Sequence, residues 1–369
     1  MSAPTLLKIQ DLPLSKDQIM IQAYLVTNHL KFIKPAGTSR GILTEKPTWY
    51  IVLQHQLTKS YGIGECSLIP GLSMDPIDKV ESKLIEITKR INNNDIPALA
   101  EYMKFPAIQF ALETALEDLA FETDFSPYPG LFLEGKKRIP INGLVWMGTE
   151  EFMLQQIQEK IDSGFNCIKI KIGAINFETE LGLLDSIRKK YSENEIEIRV
   201  DANGAFLPNE ALRKLEKLSK YKLHSIEQPI KQDQWNHMAS LCANSPIPIA
   251  LDEELIGVLD SGDQQQMLDF IRPQYIILKP SLIGGISASN TWIQSAEKRN
   301  IDWWATSALE SNIGLNAIAQ WVSNIPTIMP QGLGTGQLFS NNLDSPLTII
   351  KGHLESNVNL DWDKSVFSK

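Results

Sequence analysis

The sequence predicts an α/β protein in which an N-terminal α+β domain is followed by a (β/α)7β TIM-like barrel. Two observations carry this prediction. After about residue 136, short β-branched runs recur at intervals of about 27 residues, and segments with helical signals lie between them. Before that residue the rhythm is absent, and strand-like runs are followed by longer helical stretches. The chain of 369 residues is long enough for a barrel and a smaller second domain.

The β-branched runs alternate with helical segments, which is the pattern of a closed barrel. Thr149 is suited to cap the start of the first helix, Gly164 to end it, and Pro208 to begin a later one. An open doubly wound sheet is the alternative, but no G-x-G-x-x-G motif follows the first run and no phosphate-binding loop is present. The runs lie near Ile139, Cys167, Ile196, Leu223, Pro248, Tyr275, Asp302 and Thr327.

Three parts of the chain are predicted from this pattern. Residues 1–135 form the α+β domain, with antiparallel strands and a long amphipathic helix at residues 105–122. Residues 136–336 form the barrel. Residues 337–369 have extended character without a clear final helix, and we expect this tail to return to the first domain. No low-complexity linker separates the parts, so we expect one packed body.

Composition excludes several classes of function. A hydrophobic fraction of 43% and a mean hydropathy of −0.14 indicate a soluble globular protein. The net charge of −9 and the pI of about 5.2 argue against a nucleic-acid partner, which would need a basic surface. No stretch reaches about 18 consecutive apolar residues, and the N-terminus lacks the order of a secretory signal, so no membrane contact is expected. Cys66, Cys167 and Cys242 are scattered, which favours reduced thiols in a cytoplasm.

Charged residues end five consecutive strands of the predicted barrel. Because active sites of such barrels lie at the carboxyl ends of the strands, these residues are expected to meet there. Lys169 and Lys171 are two positions apart and therefore share one face, whereas Ile170 takes the other. In strand order the charged residues are Lys169 and Lys171, then Asp201, Glu227, Asp252 and Lys279.

Three acids on adjacent strands predict a metal site. Buried carboxylates at close range require a compensating cation, and an oxygen-only set suits Mg²⁺ rather than zinc. Taken singly, each residue has an ordinary explanation: a strand-terminal Asp caps the next helix, and a K-x-K pair is usually a solvated edge. The joint order K-x-K, Asp, Glu, Asp, Lys is what favours a site formed by Asp201, Glu227 and Asp252.

This order of charged residues resembles the pattern of the enolase superfamily. The lysines at the ends of strands two and six are similar to those of its muconate-lactonizing-enzyme subgroup. The mandelate-racemase subgroup would have a histidine after strand seven, which residues 302–312 lack. The resemblance covers nearly the whole chain and implies that the first domain caps the barrel. It also implies Mg²⁺, with Mn²⁺ as a substitute, and removal of a proton next to a substrate carboxylate. Lys171 would be the base, Lys279 would stabilise the anion, and Lys169 would hold a carboxylate oxygen.

Further stretches resemble the family of o-succinylbenzoate synthases. Residues 34–46 are similar to its mobile capping loop, Gly64-Glu65 and Pro70-Gly71-Leu72 to an element of its cap, and residues 306–315 and 332–336 to its seventh and eighth strand ends. The implied reaction dehydrates a cyclohexadiene carboxylate that carries a succinyl chain, in menaquinone biosynthesis. The implied substrate-binding residues are Ser39, Arg40, Asn203, Thr306, Ser307, Gly332 and Gly334.

Other interpretations stay open at this point. An N-acylamino acid racemase or a dipeptide epimerase of the same subgroup would use the same catalytic parts. Dipeptide epimerases carry an Asp-x-Asp near strand eight, which residues 329–336 lack. A non-catalytic barrel has no use for the lysines, and a Schiff-base aldolase does not need the three acids. The sequence leaves the oligomeric state undetermined.

Overall fold

The computed structural model describes residues 21–38, 41–121 and 124–367. The first domain is a three-stranded antiparallel sheet against which two helices pack, as predicted. Val26 lies opposite Tyr50, and Tyr50 lies opposite Glu65, so the second strand is the central one. The elements are β1 (Ile21–Thr38), β2 (Gly41–His55), β3 (Tyr61–Ser67), α1 (Ile77–Asn92) and α2 (Pro106–Ala120).

Helix α2 lies directly on β3 because two glycines leave room for its backbone. A Cβ atom at Gly62 would come within 2.1 Å of the carbonyl oxygen of Ala115, and one at Gly64 within 1.8 Å of that of Ala111. Contacts this short exclude any side chain at either position. The helix is buried on nearly all sides, since its other face packs against the barrel.

The barrel follows with alternating strands and helices. Its strands pair in parallel and lie side by side in chain order, which places Lys171 opposite Asp201 and Asp201 opposite Glu227. The elements are β4 (Ile139–Pro140), β5 (Gly143–Val145), α3 (Glu150–Asp162), β6 (Cys167–Lys171), α4 (Phe177–Arg188), β7 (Glu197–Asp201), α5 (Pro208–Leu218), β8 (Ser225–Glu227), α6 (Trp235–Asn244), β9 (Ile249–Leu251), α7 (Ser261–Ile271), β10 (Tyr275–Leu278), α8 (Pro280–Ile283), α9 (Gly285–Glu297), β11 (Asp302–Ala305) and α10 (Asn312–Ser323).

Residues 331–332 close the barrel as its eighth parallel segment. Gln331 bridges to Ile141, and Gly332 bridges to Thr306. The predicted eighth run near Thr327 lies about four residues too early. The prolines at 326 and 330 flank that run and cannot donate to a ladder, so pairing begins only after the second of them.

The first predicted run is also displaced. Ile139 and Pro140 belong to β4, which pairs antiparallel with the C-terminal tail, and the first barrel strand is β5 instead. Proline lacks the N–H that a central strand needs, which explains why the barrel ladder starts beyond it. The tail forms a hairpin of β12 (Leu347–Ile350) and β13 (His353–Ser356).

The tail contacts the first domain as well as the barrel. Phe339 bridges to Phe32 of β1, and the Tyr24 hydroxyl donates to the carbonyl oxygen of Phe367 at 2.5 Å. Phe367 is buried against Tyr50 of β2. One large hydrophobic cluster fills the barrel and the space beneath its helices, and a second lies between the sheet and helices of the first domain.

Two further predictions concern the capping loop and the cysteines. Residues 34–46 do not form an open loop where they are described: residues 34–38 and 41–46 belong to β1 and β2, and residues 36–38 pair with residues 41–43 beyond an irregularity in the register. The three cysteines are buried free thiols, while a cytoplasmic location stays a prediction. Within the described ranges, no helix combines the length and apolar character needed to cross a membrane.

Candidate active site

A pocket of about 960 Å³, counting the solvent at its mouth, lies at the carboxyl ends of the barrel strands. Its polar floor comes from the barrel strands. We call the apolar side chains around it the pocket wall; they come from the first domain and from barrel strands and loops. The wall is formed by Leu43, Ile69, Leu72, Leu144, Trp146 and Leu309.

The pocket floor begins with the two lysines of β6. Lys169 and Lys171 both line the pocket, whereas Ile168 and Ile170 are buried in the surrounding hydrophobic core. This confirms the orientation predicted from the strand period. Lys279, immediately after β10, lines the same pocket. Three ammonium groups therefore face one space.

The three predicted acids lie directly beneath these lysines and are almost completely buried. The Lys169 Nζ is 2.9 Å from Asp201 Oδ2 and also pairs with Glu227. The Lys171 Nζ is 2.7 Å from the same oxygen of Asp201. Lys279 pairs with Asp252. The structure thus brings together all six charged residues that end the predicted strands, and we call these six the charged floor.

Burial and charge act against each other in this cluster. Burial alone would lower the pKa of Lys169, but the charges of Asp201, Glu227 and Asp252 outweigh it and raise that pKa above its usual range. Burial would raise the pKa of Asp201, but Lys169 and Lys171 hold it well below its usual range. For Glu227, burial and the neighbouring Asp201 carboxylate raise the pKa. The lysines alone therefore neutralise the acids unequally.

The cluster has the donor chemistry for a further cation. With Glu253, four buried carboxylates meet three ammonium groups, and Glu227 Oε1 has no hydrogen-bond partner among the described residues. An all-oxygen set of this kind suits a hard divalent ion. As the side chains stand, the described part of the chain contains no group of three or more His, Cys, Asp or Glu spaced to hold a metal ion.

Asn203 connects the lysine and acid parts of the site. Its Oδ1 accepts from the Lys171 Nζ at 2.7 Å, and its Nδ2 donates to Glu253 Oε1 at 2.9 Å. Its φ of +43° is left-handed, which asparagine tolerates better than most residues. Glu253 also lines the pocket, although it was not predicted as a site residue from the sequence. The signal was available, because Glu253 directly follows Asp252 in the run Leu-Asp-Glu-Glu.

The other predicted substrate-binding residues have different positions. Thr306, Ser307, Gly332 and Gly334 line the pocket, and a Cβ at Gly332 would come within 2.5 Å of the Thr306 hydroxyl. The Ser307 hydroxyl donates to Glu310 at 2.6 Å and accepts from Thr335 at 2.7 Å, so protein groups already engage it. Ser39 and Arg40 lie outside the described residues.

No residue of the pocket wall was predicted as a site residue, although Leu43, Leu72 and Leu309 lie in stretches that resemble o-succinylbenzoate synthases. Leu43 belongs to β2, and Ile69 and Leu72 follow β3, so these three come from the first domain. Trp146 follows β5, and Leu309 follows β11. No period or motif connects these positions along the chain. Leu43, Ile69 and Leu72 reach the pocket only because the first domain covers the mouth of the barrel.

The fold and the charged floor define a known class of protein. The model of the family described as Enolase C-terminal domain-like matches residues 153–357, which is more than half of the chain. The chain belongs to this family, and thus to the enolase superfamily. Enzymes of this superfamily use a divalent metal.

Particular relatives narrow the similarity further. The chain is 48% identical over 356 residues to the o-succinylbenzoate synthase of Desulfotalea psychrophila, covering 88% of this chain and 96% of the relative. The crystal structure of MenC from the same organism superposes with a TM-score of 0.81 and 44% identity, over 91% of this chain and 99% of that one. An L-Ala-D/L-Glu epimerase of Francisella tularensis subsp. novicida is 27% identical over 266 residues, covering 70% of this chain and 73% of the relative.

Proposed function

We propose that this chain is an o-succinylbenzoate synthase. It dehydrates 2-succinyl-6-hydroxy-2,4-cyclohexadiene-1-carboxylate to o-succinylbenzoate, a step of menaquinone biosynthesis, in the cytoplasm. The observation that carries the proposal is the 48% identity to the synthase of Desulfotalea psychrophila along nearly the full length of both chains. The lysines and acids of the charged floor supply the groups that such a reaction requires.

The difficult step is removal of the proton next to the substrate carboxylate. Breaking this C–H bond leaves an electron pair that is delocalised into the carboxylate as an enediolate, so negative charge increases at one end of the substrate. Lys171 is the proposed base, and it takes the proton as its neutral amine. The C–O bond at the neighbouring carbon then breaks, the ring becomes aromatic, and Lys171 returns the proton to the departing hydroxyl as water.

The other two lysines have electrostatic roles. Lys169 holds a carboxylate oxygen of the substrate, and Lys279 faces the developing anion from the opposite side as a fixed positive charge. Fixed charges that interact more strongly with the transition state than with the substrate accelerate the reaction. Apolar groups of the pocket wall exclude water, which strengthens these interactions.

Asp201, Glu227 and Asp252 are the proposed ligands of one Mg²⁺, which Mn²⁺ can replace. When bound, the ion supplies positive charge that neutralises the enediolate. The excess of buried carboxylate over ammonium supports this assignment, as does Glu227 Oε1, for which the described part of the chain provides no hydrogen-bond partner. Asn203 orients Lys171 through its 2.7 Å hydrogen bond. Thr306, Gly332 and Gly334 form the proposed surface against the substrate.

The test is turnover of the cyclohexadiene substrate, followed by ultraviolet absorbance. We expect turnover with Mg²⁺, its loss after chelation, and its recovery with added Mg²⁺ or Mn²⁺. The same enzyme is assayed with an N-acylamino acid and with L-Ala-L-Glu, because Lys171 and Lys279 both face the pocket and could serve two-base racemisation. Faster conversion of either of these than of the cyclohexadiene would contradict the proposal.

A further inference from the structure

Among the described residues, one lysine and two glutamates are completely buried where the first domain covers the barrel, outside the charged floor. They are Lys46 of β2, Glu65 of β3 and Glu310, which follows β11. Burying an ionisable group is costly unless its hydrogen bonds are satisfied. The partners of these three groups therefore indicate their role.

Both carboxylates hold barrel segments next to the pocket. Glu65 accepts from the backbone N–H groups of Ser311 and Gly314, each at 2.8 Å, and so fixes the start of α10 from the first domain. Glu310 accepts from the Ser281 hydroxyl at 2.5 Å and the Ser307 hydroxyl at 2.6 Å. Because Ser281 is two residues beyond Lys279, Glu310 ties the segment after β11 to the segment that carries this lysine.

Lys46 holds Leu309, which lies in the chain between Ser307 and Ser311. Its Nζ donates to the carbonyl oxygen of Leu309 at 2.6 Å and to the Ser67 hydroxyl at 2.5 Å. Leu309 has a φ of +63°, a left-handed conformation that costs energy for any residue with a Cβ. Its N–H donates to the Ser307 hydroxyl at 3.1 Å. Side chains therefore hold both backbone polar groups of Leu309, one from each domain.

We propose that Lys46 is a positioning residue, which holds Leu309 in its left-handed conformation and so fixes the pocket wall above the reacting groups. Leu309 lines the pocket, and its neighbour Glu310 is bonded to the segment that carries Lys279. Loss of the ammonium leaves a buried carbonyl without its donor and allows Leu309 to relax. Burial lowers the pKa of Lys46, and the nearby carboxylates of Glu65 and Glu310 offset only part of this lowering. The inference rests on the proposed function only for its kinetic test.

The first experiment compares crystal structures of the wild type and Lys46→Met, which keeps an unbranched side chain but has no donor. We expect Leu309 to leave the left-handed region in the variant. Lys31→Met is the matched control, because Lys31 lies in the same sheet but is exposed. An unchanged positive φ at Leu309 in Lys46→Met overturns the proposal, whatever the substrate of the enzyme is.

The second experiment measures whether the kinetic effect of Lys46→Met depends on the backbone strain at Leu309. We expect Lys46→Met to lower kcat/KM by about 100-fold, because small displacements near the reacting atoms have effects of this size. Lys31→Met should stay within about twofold of the wild type. Glycine adopts the left-handed conformation without strain. In a Leu309→Gly background, the same Lys46→Met change should therefore cost less than about tenfold.

An equal loss in both backgrounds would mean that Lys46 acts on general stability, and this would overturn the proposal. If Lys46→Met does not fold, Lys46→Gln, which keeps a neutral donor, is carried through the same two backgrounds and judged by the same coupling. Absence of turnover in the wild type would count against the proposed function instead. In that case the conformation of Leu309 in the crystal structures decides on Lys46.

Discussion

The lysines of the charged floor line the same pocket as the pocket wall, yet the floor and the wall are built in different ways. The floor residues end adjacent parallel strands of one sheet and pair with each other, as Lys169 and Lys171 do with Asp201. The wall residues come from both domains and line the same pocket. The sheet therefore fixes the reacting groups, while the position of the first domain fixes the shape around them. On the proposed function, floor variants should change the chemical step and wall variants should change substrate recognition.

The largest effect is expected for Lys171→Ala, which removes the proposed base. Dehydration should fall by about 10³- to 10⁴-fold, the range typical of a lost general base, and exchange of the substrate's alpha proton with solvent should stop. Lys189→Ala is the control, since that lysine is largely exposed on the barrel surface. Substantial proton exchange in Lys171→Ala would show that another group is the base.

Changes to the acids test whether the floor also holds the metal. Asp201→Asn, Glu227→Gln and Asp252→Asn should each weaken Mg²⁺ binding by more than about 100-fold, because loss of a ligand should exceed the effect of losing an outer-shell partner. Titration calorimetry measures this affinity, and turnover should fall with it. Asp302→Asn is the control, since that exposed acid starts β11 at the opposite end of the barrel. Full Mg²⁺-dependent turnover in all three variants would remove the proposed metal site.

Variants of Lys279 distinguish two roles for this residue, a fixed positive charge and a second base. Lys279→Arg keeps the charge, so dehydration should stay within about tenfold of the wild type, whereas Lys279→Ala should lose about 10²- to 10³-fold. Racemisation needs bases on both faces, so either change should eliminate any racemase activity. Dehydration by the arginine variant as low as that of Lys171→Ala would contradict the electrostatic role. Surviving racemisation would contradict the two-base scheme.

The smallest of these effects is expected in the wall. Leu72→Ala removes a half-buried side chain that the first domain contributes to the pocket. We expect KM to rise by about tenfold with kcat within about threefold, because a smaller apolar contact changes binding more than chemistry. Leu57→Ala, at an exposed position of the same domain, is the control. A fall in kcat larger than the rise in KM would contradict the assignment of substrate recognition to the wall and of the chemical step to the floor.

The barrel and its floor were largely predictable because their signals are local. The two-residue period placed both β6 lysines on one face, and parallel strands brought the acids to one edge. The predictions were wrong where proline interrupts pairing. The strand that contains Pro140, β4, pairs with the C-terminal tail and not with the barrel sheet, and the eighth barrel segment begins only after Pro330. The metal and substrate roles assigned to these residues stay predictions.

The sequence by itself determined which residues end neighbouring strands, since strand period and strand order act over a few residues or one β-α repeat. Only the tertiary structure decided the wall and its anchors. Lys46 and Leu309 are 263 positions apart, and their hydrogen bond forms only because the first domain seats on the barrel. Such a contact has no period and no local motif, because its energy comes from burial between two domains rather than from neighbours along the chain.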